Sequence, residues 1–257
     1  MRILVTNDDG IESVGLRSLT EALCEKHEVH VIAPVAQRSA AGHGISVHSP
    51  LPYKELAPHR CACRIAVDGM PADCVKLAVL YFMRDRLPDL VLSGINEGSN
   101  VGSDVIYSGT VSAALEGAYM GVRSVAISNV DRTFLEGYAM AADMLCRSLD
   151  ALMTADLPDY TALNINYPSV PHRGVAVVPV GRNRYTDRFY EVGEGLLQIG
   201  GEPLDDESGT DTDVSLVRLA EDNGAKIVLD TRVLCVTKQD DKFLVSTDNG
   251  EYVFDRL

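Results

Sequence analysis

Short apolar runs alternate with amphipathic, helix-like segments along most of the chain, and this alternation limits the possible fold more than any other feature. The apolar run at 2–6 precedes a predicted helix at 15–27, whose leucines recur every three or four residues. A second apolar run follows at 28–33. A strand, a helix and a strand within about 30 residues are typical of a βαβ unit, which requires a parallel sheet. We therefore expect an α/β fold.

The same alternation continues over the first two thirds of the chain. The further predicted elements are strands at 45–52 and 61–67, a helix from Pro71, a strand at 89–92, a helix from Ser108 through Ala118, a strand at 124–129, a helix at 134–153 and a strand at 162–166. Repeated alternation of this kind predicts a Rossmann-like, doubly wound and mostly parallel sheet. We assign this core to residues 1–172.

The pattern changes beyond the core. Residues 173–213 are predicted to form an antiparallel β extension that ends in an acidic linker. Residues 214–257 are predicted to form an atypical C-terminal α+β segment, with a helix at 214–223 and strands at 226–229, 233–237, 243–247 and 252–254.

Two adjacent carboxylates follow the first predicted strand, in the turn Asn7-Asp8-Asp9-Gly10. Open α/β sheets bind ligands at the carboxyl ends of their strands. Close like charges are unfavourable without a cation, so the turn suggests a divalent metal site. The alternative is a solvated turn, which is the more common role of an isolated Asp-Asp-Gly sequence.

A second candidate site follows the strand at 89–92. The glycine-rich loop at 93–102 is suited to close approach of a ligand. Ser108, Gly109 and Thr110 then stand where the next helix is predicted to begin, and free backbone N–H groups at a helix start bind anions such as phosphate. The alternative is an ordinary helix cap.

Composition excludes several classes of partner. The net charge is -14 and no dense Lys/Arg stretch is present, which argues against binding to duplex nucleic acid or to an anionic membrane. No apolar run approaches the roughly 18 residues of a spanning helix, and the N-terminus does not resemble a signal peptide. The six scattered cysteines are best interpreted as free thiols. We expect a cytoplasmic protein.

Several separated motifs, taken in their order along the chain, resemble those of the SurE family, the survival-protein E nucleotidases. The matching residues are Asn7-Asp8-Asp9-Gly10-Ile11, Arg38-Ser39, Ser93-Gly94-Ile95-Asn96 with Gly98 and Asn100, Tyr107-Ser108-Gly109-Thr110-Val111, Asp68-Gly69-Met70-Pro71-Ala72-Asp73-Cys74-Val75 and Asn164-Ile165-Asn166-Tyr167-Pro168. The resemblance covers residues 1–213.

The resemblance implies a metal-dependent phosphatase that hydrolyses nucleoside monophosphates, a 5'/3'-nucleotidase that forms a homodimer or homotetramer. It implies one divalent cation per subunit, Mg²⁺, Mn²⁺ or Ca²⁺, and hard oxygen ligands suit such ions. The residues that the resemblance assigns are the metal ligands Asp8, Asp9, Ser39 and Asn96, the catalytic residues Asp8, Asp9 and Asn96, and the phosphate-binding residues Ser108, Gly109 and Thr110.

Two departures from the family pattern bear on function. Met70 stands where the family usually has Thr, so a hydroxyl near the start of a helix is missing. Residues 214–257 instead resemble an internal segment of FAD-dependent oxidoreductases, although no Gly-x-Gly-x-x-Gly motif follows the first strand. The alternative function is therefore a non-catalytic metal and nucleotide binder, inactivated by its altered C-terminal segment.

Two further side chains have open roles at this point. Arg38 pairs with phosphate or with surface acids, and His43 is a candidate proton shuttle, although a single loop histidine is more often a surface residue.

Overall fold

A seven-stranded sheet forms the centre of the larger of two structural units, Met1–Asn100 with Asp104–Ser169. The computed structural model describes residues 1–131, 135–168, 175–202, 204, 212–217, 233–239, 242–247 and 250–254. The strands of this sheet are β1 (Arg2–Thr6), β2 (Glu28–Pro34), β3 (Tyr53–Leu56), β4 (Cys63–Val67), β5 (Leu90–Glu97), β6 (Arg123–Asn129) and β7 (Leu163–Tyr167). Their order is β3-β4-β2-β1-β5-β6-β7, and every neighbouring pair is parallel except β3 with β4. The predicted α/β fold with a mostly parallel sheet is confirmed.

Four α-helices accompany this sheet within the described residues: α1 (Val14–Leu23), α2 (Pro71–Leu77), α3 (Gly109–Tyr119) and α4 (Glu136–Thr154). A π-helical turn, Ala78–Phe82, continues α2. The helix α1 begins where Ser13 Oγ accepts a hydrogen bond from the backbone N–H of Leu16 at 3.3 Å. Its leucines at 16, 19 and 23 are buried on one face, as their spacing predicts. The helix α1 packs beside α4, and α2 packs beside α3.

Several predicted boundaries are wrong. The first helix, predicted at 15–27, ends at Leu23. Residues 45–52 do not form a strand, because Pro50 and Pro52 lack the N–H groups of a ladder, and the antiparallel partner of β4 is instead β3. The strand predicted at 89–92 continues to Glu97 through an irregularity between Ser93 and Asn96, where Gly94 adopts φ +133°. Asn96 therefore lies on a strand rather than in a loop.

The carboxyl ends of three strands meet at one edge of the sheet. Thr6 of β1 pairs in register with Ser93 of β5, and Asn96 of β5 pairs with Ser128 of β6. The segments that follow β1, β2 and β5 all leave the sheet at this edge. The acidic turn and the later loops therefore converge at the carboxyl ends of the strands.

The second unit comprises Val101–Ser103 and Val170–Leu257. An antiparallel hairpin, β8 (Arg188–Gly193) with β9 (Leu196–Gly200), confirms the predicted antiparallel extension. The strands β10 (Val233–Gln239), β11 (Lys242–Thr247) and β12 (Gly250–Phe254) form an antiparallel sheet. They correspond to three of the four strands predicted in the C-terminal segment. The fourth predicted strand, at 226–229, and most of the acidic linker lie outside the described residues. The helix predicted at 214–223 is described only as far as residue 217, and it is helical to that point. The domain boundaries at 172/173 and 213/214 stay predictions.

Candidate functional site

The acidic turn is closed by the side chain of Asn7. Asn7 Nδ2 donates hydrogen bonds to the carbonyl oxygen of Gly10 at 3.0 Å and to Ser13 Oγ at 2.7 Å, while Asn7 Oδ1 accepts from the N–H of Gly10 at 3.2 Å. Gly10 adopts φ +97°, a conformation that side chains rarely tolerate. These contacts turn the chain sharply after β1 and place both carboxylates at the sheet edge.

Asp8 is buried, with only 5% of its surface exposed, and its side chain lies against the start of α3. The hydroxyl of Thr110 donates a hydrogen bond to Asp8 Oδ1. Burial raises the pKa of Asp8, and hydrogen bonds from the Thr110 hydroxyl and from the backbone of Gly109 and Thr110 oppose that increase. The helix start therefore stabilises a carboxylate that burial disfavours.

Asp9 is held by the backbone of β5. Its Oδ2 accepts a hydrogen bond from the N–H of Glu97 at 3.0 Å, and Oδ1 accepts from Gln37 Nε2 at 3.4 Å. Burial, followed by the neighbouring charges of Asp8 and Glu97, raises the pKa of Asp9 to about 6. The two carboxylates are thus close enough for the charge of Asp8 to raise the pKa of Asp9.

Asn96 joins this group from the end of β5. Its Oδ1 lies 3.4 Å from the oxygen of the Thr110 hydroxyl, whose single proton is donated to Asp8. Asn96 Nδ2 donates to the carbonyl oxygen of Gly98 at 2.8 Å. The structure therefore brings Asp8, Asn96 and Thr110 into one polar cluster.

Ser39 is placed next to the cluster by backbone rather than by side-chain contact. The N–H of Arg38 donates to the carbonyl oxygen of Asp8 at 2.7 Å, which fixes the loop after β2 beside the acidic turn. The side chain of Ser39 is exposed. The guanidinium of Arg38 pairs with Asp68 at 2.6 Å, which is the surface-acid alternative for this residue.

The start of α3 combines a cap with close packing. Ser108 Oγ accepts a hydrogen bond from the N–H of Val111 at 3.1 Å, so Ser108 is the N-cap residue that the sequence predicts. A Cβ atom on Gly109 would lie 2.7 Å from the Cβ of Asp8, closer than atoms can approach. Only glycine allows α3 to begin this near the carboxylate.

The donor atoms at this edge suit a hard divalent cation. Asp8 and Asp9 supply carboxylate oxygens, Asn96 an amide oxygen and Ser39 a hydroxyl, the ligand types preferred by Mg²⁺, Mn²⁺ and Ca²⁺. Within the described ranges, no group of three or more His, Cys, Asp and Glu side chains is arranged to hold a metal. Only two of the four candidate ligands, Asp8 and Asp9, are side chains of these types.

Asn100 organises a polar network that the sequence analysis missed. Its carbonyl oxygen accepts hydrogen bonds from Asn164 Nδ2 at 2.7 Å and Asn166 Nδ2 at 2.9 Å. Its own side chain donates to Ser128 Oγ at 2.8 Å, and its N–H donates to Asn166 Oδ1 at 2.8 Å. The network holds the segment after β5 against β6 and β7. The sequence gives no local sign that Asn164 and Asn166 contact Asn100, because Asn100 is 64 and 66 residues away from them in the chain.

Comparisons with known proteins show the family and the fold of the chain. The family model described as "Survival protein SurE" matches residues 3–187. A 5'-nucleotidase SurE from Kosmotoga olearia is 44% identical over 225 residues, covering 85% of this chain and 88% of its own. One from Carboxydothermus hydrogenoformans is 43% identical, with coverages of 86% and 88%. The chain belongs to the SurE family. A solved structure of a SurE protein from Aquifex aeolicus superimposes with a TM-score of 0.70 at 32% identity, covering 82% of this chain and 87% of the other.

The SurE match includes every candidate site residue, from Asp8 to Thr110. These comparisons support the SurE part of the predicted resemblance and not the FAD-dependent oxidoreductase part, which concerned residues 214–257. In the portion of the chain that the structure describes, no helix is long and apolar enough to cross a membrane.

Proposed function

We propose that this SurE family member is a metal-dependent nucleotidase that hydrolyses nucleoside monophosphates to nucleoside and phosphate. The observation that carries the proposal is the pair of carboxylates at the sheet edge, with Asp8 buried against the start of α3 and Asp9 partly exposed beside it. Relatives at 43 to 44% identity over most of the chain are named 5'-nucleotidase SurE, which supports the same reaction.

The proposed cation site consists of Asp8, Asp9, Ser39 and Asn96, with Mg²⁺, Mn²⁺ or Ca²⁺ as the candidates. A divalent cation bound there would polarise a phosphoryl oxygen and make a water molecule more acidic and a better nucleophile. Asp8 acts as a ligand that Thr110 orients. Asp9 is a second ligand, whose position is set by the N–H of Glu97 and which can also orient the attacking water.

The phosphate group is proposed to bind at the start of α3. The first backbone N–H groups of a helix lack partners within the helix and carry partial positive charge. Ser108, Gly109 and Thr110 bring these donors within reach of the proposed cation site, because the backbone of Gly109 and Thr110 already hydrogen-bonds with Asp8. Together with Asn96, these donors stabilise negative charge on the phosphoryl group during transfer.

Phosphate release from 5'- and 3'-nucleoside monophosphates tests the proposal directly. We expect turnover with Mn²⁺ that a chelator abolishes and that added Mn²⁺ restores. The non-catalytic alternative would be supported instead if the protein bound Mn²⁺ and nucleotide but released no phosphate. A cooperative melting transition would show that such protein is folded. No Mn²⁺ binding at all would refute the proposed site.

We infer that the chain functions as a homodimer or homotetramer in the cytoplasm. The β8–β9 hairpin supports the assembly, because its large apolar side chains are exposed: Phe189 by 66%, Leu197 by 67% and Ile199 by 59%. Exposed apolar clusters of this kind commonly mark protein interfaces. Light scattering coupled to size exclusion would measure the subunit number, and a monomer at micromolar concentration would refute the inference.

A further inference from the structure

Glu116 is a buried carboxylate for which the proposed reaction has no role. It lies on α3, two turns beyond the proposed phosphate site, and only 5% of its surface is exposed. A buried carboxylate is unfavourable unless charged or polar groups contact it. Glu116 has two such partners: Lys76 Nζ lies 2.7 Å from Oε1, and His43 Nε2 lies 2.8 Å from Oε2.

The two partners come from different elements. Lys76 is in the last turn of α2, which packs beside α3, so this contact joins two neighbouring helices. His43 is in the segment after β2 and its side chain is 40% exposed. With Oε1 bound to Lys76, Oε2 of Glu116 presents a fixed acceptor to His43. Both the neutral and the protonated imidazole can donate a hydrogen bond from Nε2.

His43 ends a loop that connects both halves of the proposed active site. The backbone N–H of Arg38 donates to the carbonyl oxygen of Asp8 at 2.7 Å. The backbone N–H of Gly42 donates to the carbonyl oxygen of Tyr107 at 3.0 Å. Tyr107 directly precedes the N-cap of α3. The loop therefore runs from the acidic turn to the helix start, and Ser39 lies within it.

We propose that Glu116 is a positioning residue that holds loop 38–43 in place through His43, and thereby sets the position of Ser39 at the proposed metal site. The role of Ser39 rests on the proposed function. The anchoring of the loop does not, since it depends only on contacts within the fold. What position 43 requires is an N–H donor of suitable length, not a group that titrates.

Amide hydrogen exchange tests the anchoring without metal or substrate. In His43→Ala and Glu116→Ala, exchange at the amides of residues 38 and 42 should accelerate about tenfold to a hundredfold, the effect of losing a hydrogen bond to a charged group. His43→Gln, whose amide Nε2 is as many bonds from Cβ as the imidazole Nε2, should restore most of the protection. His59→Ala is a matched control, because His59 is 67% exposed and its carboxylate neighbour is 3.9 Å away.

The effect on the proposed site is measured by calorimetry with Mn²⁺. We expect the affinity of His43→Ala to fall about tenfold, the typical result of losing support behind a metal ligand. The affinity of His43→Gln should stay within about threefold of the parent. If both residues act through one contact, the double variant His43→Ala with Glu116→Ala should be no worse than the poorer single variant. Additive losses would overturn the proposal.

The two failures are distinguishable. If the parent protein neither binds Mn²⁺ nor releases phosphate, the proposed function fails, yet hydrogen exchange still reports whether His43 and Glu116 anchor the loop. Unchanged exchange at residues 38 and 42 in His43→Ala would overturn the anchoring role. If Glu116→Ala fails to fold, His43→Ala alone decides the question. The side chain of His43 is 40% exposed, so its removal leaves the core intact.

Discussion

Replacing Asp9 by Asn should stabilise the metal-free protein while removing its affinity for metal. In the folded chain, burial and the charge of Asp8 raise the pKa of Asp9 from 3.8 to about 6. Ionising Asp9 therefore costs free energy in the folded state that it does not cost in the unfolded state. Asn keeps an oxygen for the N–H of Glu97 and carries no charge.

The pKa shift sets the size of the effect. At about 1.36 kcal/mol per pKa unit, a rise of this size corresponds to about 3 kcal/mol at neutral pH. Asp9 is partly exposed, so we expect a gain of about 1 to 3 kcal/mol once solvent screening is included. For a chain of this length, such a gain raises the melting temperature by roughly 2 to 10 °C.

The pH dependence follows from the direction of the shift. Because the folded pKa is the higher one, the protonated carboxyl favours the folded state below about pH 4, and that contribution is lost as the pH rises through about 6. The advantage of Asp9→Asn should therefore be largest above pH 7 and disappear near pH 4. Thermal melts with chelator, at several pH values, measure it.

Added metal should reverse the order of stability. A ligand present at 1,000 times its dissociation constant stabilises a protein by about 4.1 kcal/mol, which exceeds the expected gain of Asp9→Asn. Mn²⁺ at that concentration should raise the melting temperature of the parent and leave that of Asp9→Asn unchanged. Asp85→Asn is the control, because Asp85 is 97% exposed and its replacement should change neither value. A metal-free Asp9→Asn that melts below the parent at pH 7.5, or a variant that Mn²⁺ stabilises fully, would refute the reasoning.

Three further predictions concern the surroundings of the site. Thr110→Val removes the hydroxyl that donates to Asp8 and should lower phosphate release at least tenfold with an intact fold by circular dichroism; unchanged turnover would contradict the proposed orientation of Asp8. Burial raises the pKa of Cys24 and of Cys63 to about 11, so both thiols should react with iodoacetamide at pH 8 far more slowly than in the denatured chain, and equal rates would be the contrary result. Gly117→Ala would place a Cβ within 2.5 Å of the Ser124 hydroxyl and should cost about 1 to 3 kcal/mol in urea unfolding, whereas unaltered stability would show that α3 can shift.

The elements that local chemistry specifies were predictable. The bounds of β1 follow from a short apolar run that ends at a polar turn, and the start of α3 follows from a capping hydroxyl at Ser108. Each signal is contained within a few residues. The strand predicted at 45–52 is wrong, because the apolar alternation favours a strand whereas Pro50 and Pro52 cannot donate the hydrogen bonds that a strand requires.

Contacts between distant residues were not predictable in the same way. Thr110 and Asp8 are 102 residues apart, and His43 and Glu116 are 73 apart, so no local pattern relates them. The shift within β5 that places Asn96 on a strand depends on pairing with β6 rather than on its own sequence.

By itself, the sequence determined the chemistry available at the sheet edge: two adjacent carboxylates after one apolar run, an asparagine beyond another and a capped helix start. Those features depend on residue type and near neighbours. Only the tertiary structure decided that Asp8 is buried against Thr110, that the pKa of Asp9 rises to about 6, and that Glu116 contacts His43 at the end of the loop that contains Ser39. The physical reason is that burial and electrostatic interaction depend on which groups fold against one another, and folding brings together groups that are far apart in the chain.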